Sequence, residues 1–236
     1  LNIDSKYLNS LDNNYIDFAV ISTNTNNHFE WVIKCIENKK NILIEKPAFI
    51  ELDEFTMINN LIEESDLCVG VSMIERYNKF IKPINLANIS KIDIVRVCSY
   101  SKNFDSKTIL FDLLIHDLDI LKYFHNLNFN NTKIVKIYRN DDIYKIKLKY
   151  NETIINIIVG NSNEISERSH IYYYENIKVE HYDFLNSYNK LKDLHNDFAN
   201  YLLNKPNKIC TIEESFELSN FISKICSIQD QKLSLK

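Results

Sequence analysis

An ammonium, a carboxylate and an imidazole stand in two short polar signatures set among apolar residues. Glu45-Lys46-Pro47 follows the apolar run Asn41-Ile42-Leu43-Ile44, and Asp112-Leu113-Leu114-Ile115-His116-Asp117-Leu118-Asp119 lies inside a long amphipathic stretch. Counted at helical spacing, Asp112, His116, Asp119 and Tyr123 fall at i, i+4, i+7 and i+11 and form one polar stripe against Leu110, Leu113, Leu114, Leu118 and Leu121. A titratable imidazole beside carboxylates suits proton transfer at a hydroxyl. Each group also has a plainer reading. Lys46 alone is an ordinary solvated turn lysine, and His116 alone is a hydrogen-bonded helix histidine. Asp117 points about 100° away from His116 on an ideal helix, which predicts a hydrogen bond to a neighbouring loop; Asp119 and Tyr123 are weaker candidates for a site rim.

The elements that position these groups fall into two parts. In the first, Ile16 to Ile21 and Asn41 to Ile44 are short continuous apolar runs of the kind found in doubly covered parallel strands, separated by a helix with Phe29, Val32, Ile33 and Ile36 on one face. A second helix with Leu52, Phe55, Ile58 and Ile62 inward leads to a strand at Leu67 to Val71. This β-α-β-α-β order is the second half of a Rossmann-type sheet. After Arg76 the pattern changes to an alternating strand at Ile92 to Tyr100, a helix from Lys107 to His125, and strands near Lys133 to Arg139, Tyr144 to Tyr150, Thr153 to Val159, His170 to Tyr174 and Lys178 to Phe184. Two closing helices, Ser187 to Asn204 and Thr211 to Ser227, are divided by Pro206. The expected fold class is therefore α/β plus α+β. A partial Rossmann-type parallel sheet (1–80) precedes an open, mainly antiparallel sheet covered by helices on one face (81–236).

A chain of 236 residues with 45% hydrophobic content has enough apolar material for one large domain or two modest ones. Its net charge of −4 argues against a nucleic-acid surface. No run of about 18 apolar residues predicts a membrane span, and no leader peptide is visible, so the expected location is the cytoplasm. The five cysteines, Cys35, Cys68, Cys98, Cys210 and Cys226, are widely spaced in apolar patterns and read as reduced, buried thiols. His125, His170, His181 and His195 lack metal-ligand spacing and read as surface or structural residues, so no metal is expected.

The ordered combination of signatures resembles the Gfo/Idh/MocA family of nicotinamide-dependent oxidoreductases. The resemblance rests on Ile16-Asp17-Phe18-Ala19-Val20-Ile21-Ser22-Thr23, His28 and Asn38 to Pro47, then on Val69-Gly70 and Glu75-Arg76-Tyr77-Asn78, and on Phe111 to Asp119, which matches the family's DxxxHD helix in a spelling associated with nucleotide-linked sugars. It covers roughly residues 5 to 225. One family feature is missing: the chain has two glycines, Gly70 and Gly160, and neither lies in a GxGxxG turn. With Leu1 first and Lys6 to Tyr15 reading as the helix before the family's fourth strand, the expectation is a chain that starts inside the nucleotide-binding domain. Such a chain alone would be expected to lack NAD(H) binding and to be poorly soluble.

What the resemblance implies is hydride transfer between NAD or NADP and a hydroxyl carbon of a sugar or nucleotide-linked sugar. His116 would remove the hydroxyl proton, Lys46 would stabilise the charge on oxygen, and Asp112 would orient substrate or lysine. Thr23, Asn24, His28, Glu45, Lys46 and Pro47 would line the cofactor, with the Lys46-Pro47 peptide cis. Asn24-Thr25 stands where the family usually has Pro-Asn, and His28 reads equally well as a helix cap. Arg76 and Asn78 would either bind substrate or pin the crossing between domains. Family members commonly assemble through the open sheet, so a homo-oligomer is expected. The alternatives are a non-catalytic sugar-binding or assembly subunit, or a non-functional fragment.

Overall fold

Three apolar segments make the heart of the first sheet, two of them buried along their length and the first with Phe18 and Val20 exposed. In the computed structural model, which describes residues 16–99, 106–162, 164, 166–175, 177–183 and 189–233, β1 (Phe18–Ile21), β2 (Asn41–Glu45) and β3 (Val69–Ser72) pair in parallel. Ile42, Leu43 and Ile44 are each at most 1% exposed, as strands covered on both faces require. α1 (His28–Glu37) and α2 (Leu52–Glu63) make the crossovers. The expectation for Lys6 to Tyr15 lies outside the described residues, as do Phe184 and Ser187.

The chain divides into two compact units, and the boundary is not the single cut expected near residue 80. One unit runs to Tyr77 and takes in Leu191–Ser219; the other is Asn78–Lys190 with the residues from Asn220 onward. The cause is β10 (Cys210–Thr211), two residues that pair antiparallel with β3, Cys210 opposite Val71 and Thr211 opposite Gly70. The resulting order is β1-β2-β3-β10. α5 (Lys190–Leu202) supplies Leu194 and Phe198, which pack with Leu43, Tyr77 and Ile209. Burial of that apolar cluster ties a late segment to an early sheet. α6 (Ile212–Leu233) opens on a reciprocal cap: the Glu214 amide donates to Thr211 Oγ1 and the Thr211 amide to Glu214 Oε2, each at 3.2 Å.

The second unit is built on a six-stranded sheet in the order β5-β6-β7-β4-β8-β9. Its strands are β4 (Lys91–Cys98), β5 (Thr132–Asn140), β6 (Ile143–Tyr150), β7 (Thr153–Asn161), β8 (Glu167–Tyr174) and β9 (Ile177–Asp183). Every pairing is antiparallel except β4 with β7. Period-2 alternation buries one face: Tyr144, Ile146 and Leu148 on β6, Ile155, Ile157 and Val159 on β7, and Ile92, Ile94 and Arg96 on β4. Arg96 is thus a charged residue at a core position of an apolar strand.

The helix expected from Lys107 to His125 exists with one difference. It comprises α3 (Ser106–Ile109), a π turn (Leu110–Leu114) and α4 (Ile115–His125). A π turn closes i to i+5 hydrogen bonds, so a phase counted at 3.6 residues per turn does not carry across Asp112. Asp119, placed at a rim by that count, is 1% exposed. α4 stops at Asn126, whose φ of 55° is the left-handed conformation asparagine tolerates. No described helix is long and apolar enough to cross a membrane.

Candidate functional site

In the first unit, the carboxyl ends of three parallel strands bring the predicted residues together at one edge, where ligands bind in open α/β sheets. Ser22, Thr23 and Asn24 follow β1 and are exposed; Glu45 and Lys46 end and follow β2 half-buried; Ser72 ends β3. The register pairs Glu45 with Ser72, and Ser72 Oγ donates to Glu45 Oε1 at 2.9 Å. One carboxylate oxygen is thereby oriented by the neighbouring strand. The Lys46-Pro47 peptide is cis.

His28 holds this edge in shape. It is the first residue of α1 and 1% exposed, with Nδ1 3.1 Å from the Pro47 carbonyl and 3.0 Å from that of Ala48, and Nε2 3.1 Å from the Thr23 carbonyl. The ring therefore bridges the loop after β1 and the turn after β2, and its nitrogens are engaged by backbone. Arg76 is 1% exposed, and its Nη1 donates to the Lys208 carbonyl at 3.2 Å and to Glu214 Oε2 at 2.9 Å. These contacts lie within the first unit, where Arg76 clamps the start of α6. Tyr77 Oη donates to Asp197 Oδ2 at 2.9 Å in the same unit. Asn78, the first residue of the second unit, is buried, and its Oδ1 accepts from the Phe80 amide at 3.1 Å.

In the second unit, Asp112, His116 and Tyr123 are half-buried, each carried by the π turn or by α4. Asp117 differs from its expected role, because its partners are strands and not a loop. Arg96 Nε donates to its Oδ2 and Arg96 Nη2 to its Oδ1, both at 2.8 Å, and His170 Nε2 lies 2.8 Å from Oδ1. Burial alone would raise the Asp117 carboxyl, but the Arg96 charge and the His170 contact outweigh it and hold it below its ordinary value. Beyond His170 a chain continues through Tyr172 to His125, both buried. His125 and His170 are thus structural and interior. This network escaped the sequence reading. Its one signal was Arg96 continuing the inward alternation of Ile92 and Ile94. Among the described residues no group of three or more metal-type ligands gathers.

Each unit's group of residues has its own chemical use. The sheet edge offers an ammonium beside an oriented carboxylate, with exposed backbone and side chains at Thr23 and Asn24, and this fits the nicotinamide end of a dinucleotide. The helix offers an imidazole and a carboxylate with partial solvent access, suited to receiving a proton.

Comparison with known proteins gives these features a family context. Residues 4–73 match the GFO_IDH_MocA family, described as an oxidoreductase family with an NAD-binding Rossmann fold. The chain is 27% identical over 121 residues to scyllo-inositol 2-dehydrogenase (NAD(+)) of Bacillus subtilis (strain 168), a match that spans 46% of this chain and 35% of that protein. It is 26% identical over 119 residues to Myo-inositol 2-dehydrogenase of Thermotoga maritima, spanning 46% of this chain and 36% of that protein. The matched segment is thus about a third of each curated relative's length. In fold, the chain is similar to UDP-N-acetylglucosamine 3-dehydrogenase GnnA from Acidithiobacillus ferrooxidans, with TM-score 0.72 and 16% identity over 92% of this chain and 79% of that one.

Proposed function

We propose that this chain, which belongs to the Gfo/Idh/MocA family of oxidoreductases, serves hydride transfer between NAD or NADP and a hydroxyl carbon of a sugar, a nucleotide-linked sugar or a related cyclic polyol. The observation that carries the reading is the Glu45-Lys46-Pro47 turn at the carboxyl end of β2, held by Ser72 and by the bridging ring of His28. The names of the relatives add inositols to the substrate classes read from sequence.

In this reading the nicotinamide, when bound, accepts or returns the hydride. The chain's own residues handle the proton and the charge. The His116 imidazole takes the proton from the substrate hydroxyl as the carbon-bound hydrogen leaves. The Lys46 ammonium is suited to offsetting negative charge that develops on a reacting oxygen. Asp112 orients the substrate, and Thr23, Asn24 and Glu45 line the cofactor's reactive end.

The test uses the full-length protein, NAD+ or NADP+, and a panel of inositols, free hexoses and nucleotide-linked sugars, followed by absorbance of the reduced nicotinamide. Lys46→Ala and His116→Ala should each lower kcat by about 10²–10⁴-fold, with the dissociation constant for reduced cofactor nearly unchanged. Full turnover in either variant would refute the assignment.

A further inference from the structure

One proton order that accommodates each of these contacts runs through the buried chain behind Asp117. The Ile84 backbone N–H can only donate, and it lies 3.1 Å from His125 Nδ1, so that nitrogen accepts. Burial, with the His170 ring adding to it, pushes the His125 pKa down to about 3, so the ring is neutral and its proton sits on Nε2. His125 Nε2–H then donates to Tyr172 Oη at 2.7 Å. The phenol hydrogen is left to donate to His170 Nδ1 at 3.1 Å, and His170 Nε2–H donates to Asp117 Oδ1 at 2.8 Å. Arg96 closes the far end with its two 2.8 Å bonds. Asp117 therefore meets the sheet through three hydrogen bonds from two adjacent strands, β4 and β8.

Asp117 follows His116 directly, and both follow the π turn that contains Asp112. A π turn holds one residue more than an α turn, so relaxing it would rotate everything downstream by about 100° relative to what precedes. Such a rotation would carry Asp117 off Arg96 and His170 and leave a buried guanidinium without its carboxylate. The pairing therefore selects the π register, and with it the angle between Asp112 and His116.

We propose that Arg96, Asp117 and His170 are positioning residues for His116: a buried rack on β4 and β8 that fixes the rotational phase of the base-bearing helix. The inference rests on the proposed role of His116 and assigns the rack no contact with substrate.

The test removes the charges without leaving one of them unpaired. In the full-length protein, the double variant Arg96→Met/Asp117→Leu keeps volume and deletes both ions, so that only the His170 Nε2–H loses an acceptor, a smaller loss than an unpaired buried charge. It should retain a cooperative melt and cofactor affinity while kcat falls about 100-fold, the scale of a base displaced by roughly an ångström. A folded double variant with kcat within threefold of wild type overturns the proposal. Should it not fold, the pair His170→Leu and His170→Gln decides. Leucine removes the donor to Asp117 and should lower kcat at least tenfold with little change in substrate KM, while glutamine, which can donate and accept at the same ends, restores it. Equal activity in the two overturns the proposal. A second readout is independent of turnover: the ¹⁵N and ¹H resonances of the His116 ring should shift in His170→Leu and return in His170→Gln. A protein with no dehydrogenase activity but this resonance pattern would refute the proposed function and leave the rack standing; unchanged resonances would refute the rack.

Discussion

Arg96 and Asp117 meet through two parallel hydrogen bonds of 2.8 Å, with the guanidinium 2% and the carboxylate 1% exposed. A pair this buried contributes little beyond a well-packed apolar pair, because each ion gives up its hydration. Breaking it is a different matter. Arg96→Ala or Asp117→Ala alone should lower unfolding free energy by about 3–5 kcal/mol, while Arg96→Met/Asp117→Leu should lose only about 1–3 kcal/mol, the cost of leaving the buried His170 Nε2–H without its acceptor. Urea titration of the three variants measures the contrast. Equal losses in all three would show that the arginine and aspartate act through packing alone.

Acid should destabilise the second unit well above the carboxylate range, and His125 is the cause. Its pKa is pushed down to about 3 in the fold, first by burial and then by the His170 ring, against 6.5 in the unfolded chain. Between those values the unfolded chain binds the extra proton, so stability climbs with pH across the window and is lost on acidification. From pH 7 to pH 5 this one ring accounts for about 2 kcal/mol. Asp117 adds to the acid loss only lower down, because its carboxyl is depressed and its stabilisation disappears as pH falls through the folded pKa. His125→Gln, which can still accept from Ile84 and donate to Tyr172, should flatten the slope between pH 5 and 7. Melting temperatures across that range give the answer, and an unchanged slope in the variant would exclude His125.

The loop after α1 offers a stabilising substitution. The Lys40 amide donates to the Cys35 carbonyl and the Lys39 amide to the Ile36 carbonyl, both at 2.9 Å, with Lys39 at φ 54°. These are the two bonds of a Schellman ending, whose left-handed residue is ordinarily glycine. A side chain there costs about 1–2 kcal/mol. Glycine also enlarges the unfolded ensemble, by about 0.4–1 kcal/mol in the opposite sense. The difference favours Lys39→Gly by roughly 0.5–1 kcal/mol, readable as a rise in melting temperature; a fall would mean that the lysine side chain makes a contact worth more than the strain.

What was legible in the chain was whatever local pattern decides. The Glu45-Lys46-Pro47 turn could be read because an apolar strand must end at the first charged residues, and the parallel runs because both their faces are apolar. Three features resisted for the opposite reason. The π turn at Leu110–Leu114 has no local signature, since its register is chosen by partners of Asp117 that lie 21 and 53 residues away in sequence. Arg96 is one charged residue in an apolar strand, and its inward position follows only from its alternation with Ile92 and Ile94. β10 spans only two residues, too few for any periodicity, yet its pairing with β3 reassigns Leu191–Ser219 to the first unit.

The two glycines, read from sequence only as the lack of a phosphate turn, sit where side chains have no room, and they differ in how hard the obstacle is. A Cβ on Gly70 would lie 2.5 Å from Ile209 Cγ2, a branch methyl of a packed side chain that can yield only by turning about χ1. A Cβ on Gly160 would lie 2.0 Å from the Asp142 carbonyl oxygen, with φ at +156°. That carbonyl cannot retreat cheaply, because it accepts from the Asn161 amide at 3.1 Å, and Ile143 next to it is the register partner of Gly160 between β6 and β7. Gly160→Ala should therefore cost about 3 kcal/mol, at the upper end of overpacking, and Gly70→Ala nearer 1 kcal/mol. Denaturant midpoints with unchanged slopes would establish the ranking. If Gly160→Ala proved the milder of the two, the β6–β7 pairing would be yielding where the backbone bonds say it holds.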